Sequence, residues 1–186
     1  MTKTGFTLIE LIIVIAVIAI LATTVILVIN PVNILREARD SQRIADLGQV
    51  SSALGLYLAS VASPSLGVGT NCYAHDSGAV IALNCGGRHV GTTTKSTSRA
   101  VDGTGWMPVN LTAVSGGSPL ASLPVDPTNN ATFFYSYATN GTSTYELNAD
   151  MESARYASGG SDNIEGTDGG NKADFYEVGN DAGLDL

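Results

Sequence analysis

The chain is poor in the residues that do most protein chemistry. Its 186 positions hold two cysteines, two histidines and one tryptophan, and only 14% of them are charged. Two Cys and two His leave little material for metal or redox chemistry. Nine Lys and Arg stand against 17 Asp and Glu, so no basic face is available to track a nucleic-acid backbone. What the chain does have is apolar residues, 44% of the total, too many for a disordered polymer. Its 21 glycines point to many turns and loops.

These averages conceal two unlike parts. Residues 11–29 read LIIVIAVIAILATTVILVI, without a charge, a glycine or a proline. As a helix this run rises roughly 28 Å, close to the thickness of a bilayer's hydrocarbon, and it is apolar on every side, which buried helices of soluble proteins seldom are over such a length. Up to residue 61 four bases (Lys3, Arg36, Arg39, Arg43) balance four acids (Glu10, Glu37, Asp40, Asp46), so the whole net charge of −8 lies further on. An uncharged anchor therefore precedes an acidic remainder.

A secretory signal peptide has a shorter apolar run, followed by a small-residue cleavage site. Here no A-x-A pattern follows, and the small residue precedes the run: Met-Thr-Lys-Thr-Gly5, then Phe6. A cut on that side leaves the apolar helix in the mature chain, and Lys3 favours a cytoplasmic N-terminus. Glu10 sits at the edge of the run. A carboxylate at mid-membrane costs roughly 2.5–3.5 kcal/mol, and less at an interface. Cutting after Gly5 creates an α-amino group on Phe6, four residues away and roughly 6 Å along a helix. That amine can offset the carboxylate's desolvation within one chain or between staggered parallel helices. The alternative is a Glu10 that simply lies in the headgroup layer.

Gly5-Phe6-Thr7-Leu8-Ile9-Glu10-Leu11, followed by the apolar helix, resembles the N-terminus of type IV pilins and the related pseudopilins. The resemblance covers about the first third of the chain. It implies a prepilin peptidase that cleaves between Gly5 and Phe6 and N-methylates Phe6, and pairing of Glu10 with the Phe6 amine of an adjacent subunit during assembly. It also implies partners, namely further copies of the chain, related pilins and an inner-membrane assembly machinery, and a path from single-pass membrane protein with its head outside to extracellular pilus.

Pro31 removes a backbone donor and disfavours helix at Asn30, so the helix should break there; in pilins a proline near this point goes with local loosening of the helix. Leu47, Val50, Leu54, Leu58 and Val61 then recur every three or four residues, a stripe for packing on a head, with Tyr57 widening it. Arg36 and Asp40, and Asp40 and Arg43, are spaced to pair on the helix surface, and the three arginines read as positive flank residues or as contacts to lipid and neighbouring subunits. The helix should stop near Ser63-Pro64. The division expected is a leader at 1–5, a helix at 6–62 and a head at 63–186. The fold class expected is α+β: a long N-terminal helix, membrane-spanning in its first half, laid on a small antiparallel sheet, as in pilin heads.

In the head, apolar runs at 79–83 and 107–114 are candidate strands. The clearest hairpin lies at 132–149, where Phe133, Tyr135 and Tyr137 precede Asn140-Gly141, a pair favoured in type I′ turns, and Tyr145, Leu147 and Ala149 alternate on the return. A short strand is expected at 175–178.

Cys72, His75, Cys85 and His89 allow two readings. A disulfide would close a 14-residue loop, worth roughly 3 kcal/mol, in a compartment where disulfides persist; a tetrahedral zinc site would use two thiolates and two imidazoles. No cofactor is otherwise expected. The stretch 159–171 is rich in hard oxygen ligands, with Asp162, Asn163, Glu165 and Asp168 as calcium candidates; its spacing is not that of an EF-hand, and a solvated acidic loop is the other reading. A loose likeness to the calcium loop of major pseudopilins rests on the same residues. Asn110, Asn130 and Asn140 begin N-glycosylation triplets. No nucleophile–base pair, phosphate loop or spaced carboxylate pair is present, so no enzyme is expected. A pseudopilin of a secretion or DNA-uptake system and an anchored binding or enzymatic ectodomain are the alternatives to a pilus subunit.

Overall fold

A computed structural model describes residues 5–186, so residues 1–4 of the expected leader, Lys3 among them, lie outside the described residues. The chain forms two compact units, one ending at Arg36 and one beginning at Glu37.

In the first unit, α1 (Leu8–Ile29) is a 22-residue helix, about 33 Å long at 1.5 Å per residue. The large aliphatic side chains between Leu8, at 76%, and Ile26, at 63%, stand exposed. Thr23 and Thr24 return their hydroxyls to the carbonyls of Ala19 and Leu21, which leaves the helix surface apolar. Asn30 ends α1 in the left-handed region, at φ 44° and ψ 74°, a conformation that Asn tolerates better than most residues. Its carbonyl accepts from the backbone N–H of Asn33 (3.0 Å) and so opens α2 (Pro31–Ser60). Pro31 stands at the first helical position, where its missing N–H costs nothing.

The second unit is built on the stripe of α2. Leu47, Val50 and Leu54 are fully buried, and Tyr57 nearly so. They pack with Trp106, Met107, Leu111 and Leu123 and with the tyrosines and Leu147 of one sheet face, while Leu58 and Val61 close the margin half-buried. The sheet has five strands: β1 (Asn71–His75), β2 (Thr92–Ser96), β3 (Ser136–Thr139), β4 (Tyr145–Ala149) and β5 (Tyr176–Gly179), in the order β2-β1-β3-β4-β5. Tyr73, Tyr137, Leu147 and Val178 lie in one register row on the helix side. The class is α+β, with one departure from an all-antiparallel sheet: β1 and β2 run parallel, joined by the segment that carries Cys85.

Three local expectations are corrected. The run at 79–83 is not a strand. Val80 and Leu83 are 87% and 82% exposed, and a short turn, Leu83–Gly87, winds left-handed through Asn84, Cys85 and Gly86. The run at 107–114 buries its apolar side chains but finds only the isolated bridge Asp102–Asn110 before the 3-10 turn Leu111–Ala113, where Asn110 accepts from the Thr112 N–H. The β3–β4 turn spans residues 140–144 rather than two residues. Asn140 keeps a negative φ, and its Oδ1 gathers the N–H groups of Thr142, Ser143 and Thr144.

Candidate processing and assembly site

Gly5 precedes α1. A Cβ added there would meet nothing within 4 Å, and the residue does not occupy the left-handed region. The fold therefore places no demand for glycine at this position. Phe6 is 84% exposed. Thr7 caps α1: the Glu10 N–H donates to Thr7 Oγ1 (3.3 Å), while Glu10 Oε2 accepts from the Thr7 N–H (2.8 Å) and the Thr7 hydroxyl (2.7 Å). This reciprocal pair satisfies two donors at the helix start, and the carboxylate helps to neutralise the positive end of the helix dipole. Glu10 is thus not stranded in the single chain. Both bonds fall on Oε2, and among the described residues none is made to Oε1. Thr7 thus joins Glu10 at the helix start, and their spacing, T-x-x-E, is the capping-box signal in the sequence.

At the start of the second unit the charged residues of α2 do more than coat a surface. Arg43 is fully buried. Its guanidinium donates to Asp40 Oδ1 (2.7 Å), to both carboxylate oxygens of Asp126 (2.7 and 2.8 Å) and to Glu152 Oε1 (2.6 Å), and it lies over the Phe133 ring at 5.1 Å. Asp40 in turn accepts from the N–H groups of Glu152 (2.9 Å) and Ser153 (2.8 Å). Arg39 also pairs with Glu152 and, with help from Thr128 and Arg43, holds that carboxyl at about 2, well below the usual range. The reading of these arginines as flank residues is corrected for Arg43: the Asp40–Arg43 spacing does form a pair, but inside a network that rivets α2 to two distant head segments. Arg36 remains exposed.

Cys72 and Cys85 are joined in a disulfide, with Cα atoms 6.1 Å apart. With both sulfurs so engaged there is no thiolate pair for zinc, and the two histidines face different partners. His75 contacts Asn129 and the Thr97 carbonyl, whereas His89 contacts Ser136. The calcium candidates do not converge either. Asp162 pairs with Arg155 (2.6 Å). Asn163 accepts from the Gly166 N–H, and Asp168 from those of Gly170 and Glu177. Glu165, only 3% exposed, accepts from Met151 and Ser158, and burial pushes its carboxyl up to about 7. Among the described residues no three His, Cys, Asp or Glu side chains gather as a metal would require. The oxygens are spent on folding the loop. Each glycosylation-type Asn likewise accepts from the N–H two residues on, which forms a turn.

Residues 1–26 match the prokaryotic N-terminal methylation motif, the signal shared by type IV pilins and pseudopilins. No curated protein and no solved structure is matched significantly by the chain. The motif implies processing by a prepilin peptidase. Together with a helix long and apolar enough to cross a membrane, it supports a membrane-anchored, pilin-like precursor.

Proposed function

We propose that the chain is the precursor of a structural subunit of a type IV pilus. Prepilin peptidase cuts between Gly5 and Phe6 and methylates the new amine. The processed chain waits in the cytoplasmic membrane with its head outside, then moves into a filament of further copies. The observation that carries this reading is α1 itself. It is apolar on all sides, exposed from Leu8 to Ile26, and begins at a motif whose glycine the fold does not require. Lipid and a bundle of such helices are alike as solvents, so transfer from one to the other is not strongly uphill for the helix. The Oε1 of Glu10 supplies register. The Phe6 amine of a neighbouring subunit pairs with it, while Oε2 stays on Thr7.

The test is Glu10→Ala in the producing cell, with N-terminal mass analysis of membrane and surface fractions. The variant should insert and be cleaved to an N-methylated Phe6, yet yield few surface fibres. Wild-type fibre yield would refute the pairing. A wild-type chain that is processed normally but never recovered in long surface fibres would assign it instead to a secretion or DNA-uptake system.

A further inference from the structure

The sheet face turned away from α2 holds a buried polar layer that the assembly reading does not use. Ser136, Asn148 and Glu177 form one register row there, and Ala138, Glu146 and Gly179 the next, so Glu146 and Glu177 are diagonal neighbours. Both side chains are buried there. The segment joining β1 to β2 brings His89 against Glu146. Its Nε2 is 3.0 Å from Ser136 Oγ, and its Nδ1 points at Glu146 Oε1 from 3.4 Å. All three residues are at most 3% exposed. That Nδ1 and that Oε1 have no other partner among the described residues.

Each glutamate also holds a piece of backbone. Glu146 Oε2 accepts from the Leu186 N–H (2.9 Å), and the Leu186 oxygen accepts from the Val90 N–H (3.1 Å). Glu177 Oε2 accepts from the Lys172 N–H (2.9 Å). The charges around the pair are unfavourable. Asp168, bonded to the Glu177 N–H, brings a third carboxyl from the acidic loop. The Arg88 guanidinium is committed elsewhere, to the carbonyls of Phe134 and Thr132. Among the described residues, the basic side chain placed against Glu146 is His89.

We propose that Glu146, Glu177 and His89 form a proton-operated latch: one proton held between the glutamates keeps Leu186 and the turn at Lys172 on the sheet, and its loss releases both. Two buried carboxylates side by side repel each other in a medium that screens poorly. Burial first, and the charges of Glu146 and Asp168 after it, push Glu177 up to about 7. An acid so raised stabilises the closed form fully below its ordinary value of about 4.5, and that stabilisation is lost as pH rises through about 7. The latch is closed at pH 5.5 and loosened at pH 8, whatever the chain assembles into.

Amide hydrogen exchange of the full chain in detergent micelles tests this, with rates corrected for intrinsic base catalysis. Between pH 5.5 and 8, protection at Val90, Lys172 and Leu186 should fall about tenfold or more while that of residues 47–57 in α2 holds. Glu177→Gln, which cannot ionise, should stay protected at both pH values, and Glu146→Gln should flatten the response in the same way. Near-ultraviolet circular dichroism at pH 5.5 shows that the variants are folded. Equal protection of the wild-type chain at both pH values would overturn the latch whether or not the variants fold, as would an undiminished response in folded Glu177→Gln.

Discussion

Replacing Arg43 with methionine isolates the strongest polar anchor of the head. Methionine matches the aliphatic stem of arginine but supplies none of the four short hydrogen bonds to Asp40, Asp126 and Glu152. Removing one partner of a buried ion pair costs about 3–5 kcal/mol, because the opposite charge stays behind. The low end applies here. Asp40 keeps the N–H donors of Glu152 and Ser153, Asp126 keeps those of Thr128 and Asn129, and Glu152 keeps Arg39. The expected loss is therefore about 3 kcal/mol. Arg43→Lys retains the charge but concentrates it at one point and cannot span three carboxylates, so it should lose about half as much. Trp106, the chain's single tryptophan and 1% exposed, reports urea unfolding of the full chain in micelles. The network is buried, so the loss should change little between low and high salt. In a double-mutant cycle with Asp126→Asn the two losses should be less than additive. A cost below about 1 kcal/mol for Arg43→Met, or full additivity with Asp126→Asn, would show that the network does not anchor α2.

Two further outcomes follow from the same head. Glu152 is held at about 2 chiefly by Arg39, so its contribution is present above the ordinary glutamate value and fades as pH falls toward 2; acid unfolding followed by Trp106 should set in at higher pH in Arg39→Met than in the wild-type chain, and coincident acid transitions would refute this. The Cys72–Cys85 bond closes a short loop worth about 3 kcal/mol in the chain-entropy estimate, so Cys72→Ser with Cys85→Ser should lower the urea midpoint and raise exchange in the neighbouring β2, whereas an unchanged midpoint would show that packing alone holds the segment.

The parts of this molecule that the sequence discloses are those whose cause is local. Nineteen uncharged residues announce α1 because membrane-length apolarity needs no partner to be read. The stripe from Leu47 to Val61 announces the buried face of α2 because helical period and burial coincide. The parts it conceals are those decided by residues far apart in the chain. Asp40 and Arg43 look like an ordinary surface pair until Asp126 and Glu152, 83 and 109 residues from Arg43, close around them. β1, Asn-Cys-Tyr-Ala-His, lacks a strand composition, and it forms because β3 offers an antiparallel edge and β2 a parallel one. The more apolar run at 79–83 has no such edge: Ile81 is buried beside the disulfide, while Val80 and Leu83 stay exposed. Glu10 stands between these cases. Its spacing to Thr7 is a local signal, yet the surrounding hydrocarbon made the carboxylate look unpaired. A capping box that occupies Oε2 reconciles the two, since a residue that closes its own helix end within the chain can still turn its other oxygen to a second copy. On this reasoning Thr7→Val, which removes the cap but leaves Glu10 in place, should fray the start of α1 while sparing any contact made through Oε1. Glu10→Ala removes both, and so should disturb assembly more than Thr7→Val does.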